Sequence, residues 1–150
     1  MNDALSSAIL AAINDPRPDR TLTHSGTRVR AVGGDVVTLV SENIPSAANA
    51  IWIEAAIRKF VDAWSHFAAN TPGILFGVFV LPSGDYSLDV NVLRPRSARD
   101  SSLTFARWNG QHSIWDGSAE AVVPTGLASS SGSTIKTPGE ARAALAGLRA

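Results

Sequence analysis

The sequence predicts an α+β domain in which a mostly antiparallel sheet of five to six strands packs on one long central helix, with short N- and C-terminal helices. One long amphipathic segment supplies the central helix, and the segments with strand character are joined by turns short enough for hairpins. None of the strand pairs shows a βαβ crossover except across the long helix. A chain of 150 residues, 45% hydrophobic and 17% charged, fits a single α+β domain spanning 1–150.

The first part of the chain predicts a short helix and then a hairpin. Over residues 3–13 the apolar side chains recur at helical spacing, and Asn14-Asp15-Pro16 ends the run. The segment 16–20, "PRPDR", is expected to be a connector. Residues 27–41, "TRVRAVGGDVVTLVS", alternate about Gly33-Gly34, with Val32 before the break, which predicts two strands joined by a tight turn.

Residues 46–69 give the strongest helix signal. Ser46 follows Pro45 and is the expected N-cap. The apolar stripe of this helix consists of Ile53, Ile57, Phe60, Trp64 and Phe67. The opposite face carries Glu54, Arg58 and Asp62 at i, i+4 steps, which predicts exposed ion pairs.

Two strands are expected after the long helix. Residues 74–81, "ILFGVFVL", are apolar on both faces, which is typical of a central strand. After a turn at 82–85, residues 86–93 alternate, so that Ser87, Asp89 and Asn91 are expected to face solvent. Residues 94–100, "RPRSARD", are expected to be a loop.

The C-terminal part predicts a loop followed by a capped helix. Residues 125–136 are rich in Ser and Gly, which favours a flexible loop. Thr137 and Glu140 form a capping box, with Pro138 at the first helical position. In its order of elements the chain resembles small bacterial secretion-chaperone and immunity-type domains.

The segment "FARWNGQHSIWDG", residues 105–117, concentrates aromatic and polar side chains. Asn109-Gly110 is a strong signal for a two-residue hairpin turn. The resulting register pairs Arg107 with His112 and directs Trp108, Trp115 and Thr104 to one face. We predict a partner-binding surface formed by Trp108, Trp115, Thr104, Arg107 and His112. The alternative is that the C-terminal helix covers both tryptophans as core.

The same register disfavours a catalytic triad. His112 and Ser113 point to opposite faces, and His112 and Asp116 are separated by four strand residues, roughly 13 Å. Only Arg107 and His112 can touch, and a cation beside a histidine lowers its pKa, which would suit a base or a phosphate site.

Metal and anion sites have weaker sequence support. The three histidines lack the spacing of metal ligands, so we expect no metal site and no cofactor. Arg94, Arg96 and Arg99 form a basic loop that could hold an acidic partner, but with Asp100 beside them solvation is favoured.

Charge and composition restrict the classes of partner. The chain has 13 Lys and Arg against 13 Asp and Glu, so no net field attracts nucleic acid or an anionic membrane. It contains no cysteine, which excludes disulfides and thiolate chemistry. The first residues lack the basic region of a signal peptide and no apolar run is long enough to span a bilayer, so we expect a soluble, cytoplasmic protein.

From these observations we predict a non-enzymatic protein that binds a protein partner, in the manner of an immunity protein, antitoxin, secretion chaperone or phage assembly factor. Two alternatives stay open: a metal-independent hydrolase or nuclease that uses Arg107 and His112, and a domain that binds a small ligand. Formation of a homodimer stays open as well.

Overall fold

The computed structural model describes residues 2–15, 21–30 and 33–149. The elements are α1 (Asp3–Ile13), β1 (Thr21–Leu22), β2 (Gly34–Ile44), α2 (Ala50–Ala69), β3 (Ile74–Val80), β4 (Tyr86–Pro95), a 3-10 turn (Arg96–Ala98), α3 (Arg99–Trp108), β5 (Ser113–Asp116), β6 (Ala121–Pro124) and α4 (Pro138–Arg149). Over these ranges the strands form one antiparallel sheet of six, in the order β1-β3-β4-β2-β5-β6, with four α-helices. The predicted α+β class is confirmed. The predictions for the connector 16–20 and for Val32 lie outside the described residues.

The chain divides into two compact units. Unit 1 comprises Met1–Arg30 and Glu42–Val90, and unit 2 comprises Ala31–Ser41 and Asn91–Ala150. Unit 1 therefore contains α1, β1, α2, β3 and the first half of β4, whereas unit 2 contains most of β2, the end of β4, α3, β5, β6 and α4. The expectation of one central helix is only partly met, because α2 belongs to unit 1 and unit 2 has a helix of its own, α3, packed on β5.

Unit 1 is built on the predicted apolar stripe of α2. Its buried members are Ile57, Phe60, Trp64 and Phe67, while Ile53 is half-buried. Phe60 meets Phe76 of β3 edge to face with ring centroids 6.0 Å apart. This stripe also explains why the helix forms, since burial of an amphipathic face contributes more to helix stability than propensity does.

The start of α2 differs from the prediction. Asn49, not Ser46, is the N-cap, and its side chain accepts a hydrogen bond from the Trp52 N–H at 2.8 Å. Ser46 instead donates its backbone N–H to the Asp85 carboxylate at 3.0 Å. This bond to the β3–β4 turn holds Ser46 outside the helix.

The exposed side of α2 carries one of the expected ion pairs. Arg58 lies 3.2 Å from Glu54, one helical turn away, and 3.1 Å from Asp3 at the start of α1. Hydrogen bonds to Glu54 and then to Asp3 raise the pKa of Arg58 above its ordinary value. The cation therefore links two helices of unit 1.

The predicted hairpin at 27–41 is wrong. The described part of its first arm, residues 27–30, is not a strand and contacts β1 instead, through a bridge between Leu22 and Arg28 and the Val29 N–H, which donates to the Thr21 carbonyl oxygen at 2.9 Å. The second arm is β2, and it pairs with β5. Gly34 allows this strand to approach its neighbour, because a Cβ there would lie 2.8 Å from the Arg94 carbonyl oxygen. Gly34 therefore marks a close approach of two backbones.

The solvent-facing side predicted for β4 is also wrong. Ser87, Asp89 and Asn91 are all buried. In unit 1 the Ser87 hydroxyl donates to the Asp89 carboxylate at 2.8 Å, and in unit 2 the Thr38 hydroxyl donates to the Asn91 amide oxygen at 3.0 Å. Burial of these polar groups is tolerated because they are hydrogen-bonded.

The predicted loop 94–100 is largely structured. Arg94 and Pro95 complete β4, residues 96–98 form the 3-10 turn, and Arg99 begins α3. The arginines of this segment therefore belong to regular elements of unit 2.

The predicted hairpin about Asn109-Gly110 is wrong. Residues 99–108 form α3, Asn109 is its C-cap, and Gly110 with φ 78° ends the helix. The predicted turn needs a positive φ at both Asn109 and Gly110. Asn109 has φ −78°, and the positive φ of Gly110 terminates a helix, as glycine commonly does. The reason lies in the buried positions Ser102, Phe105 and Ala106, whose i, i+3, i+4 spacing is helical. The hairpin of this region joins β5 to β6 instead.

Asn109 links three parts of unit 2. Its side-chain amide donates to the carbonyl oxygens of Thr38 at 3.0 Å and Leu39 at 2.8 Å in β2. Its amide oxygen accepts from the Ile135 N–H at 3.0 Å. Asn109 is fully buried. A single side chain thus joins α3 to β2 and to the segment that leads into α4.

The C-terminal helix begins as predicted. The Thr137 hydroxyl accepts from the Glu140 N–H at 3.2 Å, which is the expected cap of α4. Ala141 and Leu145 are buried, and α4 packs against α3. The preceding residues 125–136 contain no helix or strand, as expected; their predicted flexibility stays a prediction.

Candidate functional site

Three side chains form a row across the outer strands of unit 2. In the strand register Val36 of β2 lies opposite Trp115 of β5, and Trp115 lies opposite Val122 of β6. Exposure rises along this row: Val36 is half-buried, Trp115 is 42% exposed and Val122 is 59% exposed. We call these three residues the apolar row. It ends at β6, the last strand of the sheet.

The neighbours of Trp115 define which face carries the apolar row. Asp116 is buried and reaches Arg99 of α3 at 2.6 Å, so its side chain points toward the face on which α3 packs. Successive strand residues point to opposite faces. Trp115 therefore points away from α3, and Val36 and Val122 share its face.

Trp108 does not share this face. It lies near the end of α3, 55% exposed, with its ring 5.7 Å from that of Phe105. The prediction that Trp108 and Trp115 occupy one face is therefore wrong, because it depended on a strand at 103–108. The alternative of a buried tryptophan pair does not hold either. Thr104 also lies on α3, where its hydroxyl donates to the Asp100 carbonyl oxygen at 3.1 Å.

The expected contact between Arg107 and His112 loses its basis with the hairpin. The Arg107 guanidinium donates from Nε to the Thr125 carbonyl oxygen at 2.7 Å, and its Nη2 bonds the same oxygen. The His112 ring nitrogen Nδ1 lies 2.9 Å from the Ser130 hydroxyl. These bonds attach the loop after β6 to the region between α3 and β5, which is a structural use of both side chains.

The three arginines of the predicted basic loop form ion pairs or long hydrogen bonds. Arg99 binds Asp35 through two hydrogen bonds of 3.0 and 2.7 Å, and it also binds Asp116. Arg96 lies 3.5 Å from Asp116. Arg94 reaches the Ser101 hydroxyl and the Leu148 carbonyl oxygen, each at 3.5 Å.

The cluster of Arg96, Arg99, Asp35 and Asp116 is a structural ion cluster. Backbone N–H groups, first that of Ala119, and the Arg99 guanidinium lower the pKa of Asp116 to about 2. Hydrogen bonds to Asp35 and then Asp116 raise the pKa of Arg99 above its ordinary value. Two cations balance two anions, so the cluster presents no excess charge to an anionic ligand. The sequence analysis did not consider Asp35 and weighed Asp116 only as a partner of His112, although a carboxylate within an apolar strand signals a buried partner.

The other two histidines contact asparagine side chains. His66 lies beside the Asn70 amide at 3.4 Å. The backbone carbonyl oxygen of His24 accepts from the Asn2 amide at 2.6 Å. Within the described ranges no group of three or more His, Cys, Asp or Glu side chains is placed to hold a metal ion.

The described part of unit 1 has surface depressions as well. One, of about 570 Å³, is lined by Asn2, Asp3, Ala4, Asp62, Ser65 and His66. The other, of about 730 Å³, lies between residues 23–27 and 68–74. Neither contains a group that the sequence analysis assigned to ligand binding.

No helix among the described residues is both long enough and apolar enough to cross a membrane. Comparisons with protein-family models, with curated proteins and with solved structures found no match to this chain.

Proposed function

We propose that this protein is a non-enzymatic binding protein that docks a protein partner on the apolar row of unit 2. The observation that carries the proposal is the exposure of Trp115 beside Val122 on paired strands at the end of the sheet. Large exposed apolar side chains that lie together are typical of interfaces, where tryptophan often contributes much of the binding energy.

The partner binds the side chains of the apolar row and does not extend the sheet. The Thr125 N–H donates to the His112 carbonyl oxygen at 2.9 Å, which sets the alternation of hydrogen bonds along β5 and β6. Val123 then bonds β5, while Val122 and Pro124 direct their backbone groups to the free edge. Pro124 has no N–H, and a four-residue strand containing proline is a poor template for a further strand.

The chemistry of the apolar row indicates what the partner presents. None of Val36, Trp115 and Val122 carries a charge, so the complementary surface is an apolar pocket. The indole N–H of Trp115 requires one hydrogen-bond acceptor at the edge of that pocket when it is buried. Because no charge is involved at the centre, affinity depends little on salt.

Trp115→Ala tests the proposal, and Trp108→Ala is its matched control on the other side of β5. Tagged wild-type protein and both variants capture partners from a lysate of the native host, and the dissociation constant of each retained protein is then measured. We expect one protein to be retained by the wild type and by Trp108→Ala. For Trp115→Ala we expect a dissociation constant higher by about 30-fold or more, which corresponds to about 2 kcal/mol.

Melting curves of both variants complete the experiment. Unchanged melting with weakened binding for Trp115→Ala supports the proposal. Equal binding by Trp115→Ala and wild type overturns it, and loss of binding by Trp108→Ala alone would move the interface to α3.

A further inference from the structure

The dipeptide Asn109-Gly110 is the one Asn-Gly pair in the sequence. In such a pair the glycine nitrogen can attack the asparagine side chain, because no Cβ hinders its approach. The fold requires both residues. Asn109 makes the three side-chain hydrogen bonds that link α3, β2 and residue Ile135. Gly110 has φ 78°, and a Cβ there would lie 2.4 Å from the Gly132 carbonyl oxygen. Both residues of this chemically labile pair thus have structural roles.

In the folded unit, hydrogen bonds hold both reacting groups, the Asn109 amide and the Gly110 N–H. The Asn109 amide nitrogen is bonded to two carbonyl oxygens, and the amide oxygen accepts from a backbone N–H. The attacking group, the Gly110 N–H, donates to the Arg107 carbonyl oxygen at 3.1 Å. Asn109 is also inaccessible to the water that must hydrolyse the product. Attack therefore requires that the end of α3 open and that these hydrogen bonds break.

We propose that Asn109 is a deamidation site that is closed while unit 2 is folded and that reacts when this unit opens. In the reaction the Gly110 nitrogen bonds to Cγ of Asn109 and gives up its proton. The side-chain nitrogen leaves as ammonia, and a cyclic imide forms. Water then opens either carbonyl of the imide, which leaves aspartate or isoaspartate at position 109. One water is consumed, one ammonia is released, and no redox change occurs.

Deamidation removes the hydrogen bonds by which the Asn109 side chain joins α3 to β2. A carboxylate at position 109 has no N–H for the carbonyl oxygens of Thr38 and Leu39, and its negative charge faces their negative dipoles. Isoaspartate also lengthens the backbone between α3 and Gly110. A chain whose unit 2 stays open long enough to react therefore does not close again. Aspartate or isoaspartate at position 109 then identifies chains that have been unfolded.

Peptide mapping by mass spectrometry tests the proposal on the wild-type protein. Samples are incubated at neutral pH and 37 °C in buffer and in concentrated urea, and isoaspartate is measured at each asparagine. In buffer we expect deamidation at Asn109 to be slower than in urea by roughly 10³-fold or more, because typical unfolded fractions are that small. Asn70 is the internal control, because the residue after it is Thr71, whose Cβ hinders attack in both solutions. Rates at Asn109 within about tenfold in the two conditions would overturn the proposal.

A second variant tests the requirement for opening. Ile135→Ala shortens a buried side chain next to the hydrogen bonds of Asn109, whereas Val122→Ala shortens an exposed one. We expect Ile135→Ala to raise the deamidation rate at Asn109 in buffer, and to raise the rate of amide hydrogen exchange at the end of α3 by the same factor. Val122→Ala is expected to leave both rates unchanged. A rise in exchange without a rise in deamidation overturns the proposal.

The chemical consequence is tested by comparing Asn109→Asp with Asn109→Ala. If the carboxylate is what prevents refolding, Asn109→Asp melts below Asn109→Ala at neutral pH, and the gap narrows on acidification as the carboxyl group is protonated. Equal melting of the two variants at neutral pH would contradict the proposed effect on refolding. The tests of the deamidation rate use other proteins, so they stand whether or not Asn109→Asp and Asn109→Ala fold.

Discussion

Asp35 and Asp116 lie directly opposite each other in the β2–β5 register, and one guanidinium, that of Arg99, bonds both carboxylates. Like charges that face each other across a strand pair repel. Here Arg99 of α3 bonds both carboxylates and, together with Arg96, balances their charge, so the docking of this helix and the pairing of the two strands depend on each other. The link is one reason why residues 99–108 are held as a helix against β5.

Replacement of Arg99 by leucine is expected to destabilise unit 2 strongly, because it removes the guanidinium that bonds both buried carboxylates and leaves Arg96, 3.5 Å from Asp116, as the remaining cation of the cluster. The matched control is Arg96→Leu, since Arg96 is 58% exposed and lies 3.5 Å from Asp116. Thermal melting compares the two. Adding Asp35→Asn to Arg99→Leu should recover part of the lost stability. If Arg99→Leu melts no lower than Arg96→Leu, the cluster does not hold the strand pair.

The stability of unit 2 is expected to fall in acid as Asp116 is protonated. The pKa of this group is lowered from 3.8 to about 2 in the folded protein. A lowered carboxyl pKa contributes stability that is present above the unfolded pKa and is lost as the pH falls through the folded value. The stability difference between wild type and Asp116→Asn should therefore shrink from pH 5 to pH 2. Denaturation by urea at each pH measures it, and a constant difference would contradict the assignment.

Trp64→Ala is expected to lower the free energy of unfolding by about 3–5 kcal/mol, the range for removal of a large buried aromatic side chain. Trp64 is buried and its ring lies 5.5 Å from that of Phe67. Trp52, 48% exposed on the same helix, is the control, and Trp52→Ala should change the stability by about 0.5 kcal/mol or less. Similar melting of Trp64→Ala and the parent would show that the stripe of α2 is not core.

His112→Ala is expected to leave any hydrolytic activity within about tenfold of the wild type, because the ring bonds Ser130 and the Arg107 guanidinium bonds Thr125. General acid–base catalysis typically contributes 10²–10⁴-fold. Assays with ester, phosphodiester and nucleic-acid substrates measure this. A loss of about a thousandfold with an unchanged melting curve would support the hydrolase or nuclease alternative.

Local sequence patterns were sufficient for the elements whose signal is long or chemically specific. The stripe of α2 repeats over several turns, so its period excludes a strand, and the capping box at Thr137 specifies one backbone geometry. The strand β3 was also predicted close to its observed range. The apolar row was not predicted as such, although Trp115 was among the residues assigned to a partner surface.

The sequence by itself determined that an apolar stripe lies on α2 and that the chain is of the α+β class, because these depend on periodicity. Only the tertiary structure decided that Gly110 ends a helix. Over ten residues, the apolar pattern around Phe105 fits the period of a helix as well as that of a strand. The three hydrogen bonds of Asn109 and the pairing of Asp35 with Asp116 join residues that are 26 to 81 positions apart in the sequence. Such long-range contacts satisfy buried polar groups that a local pattern places at the surface.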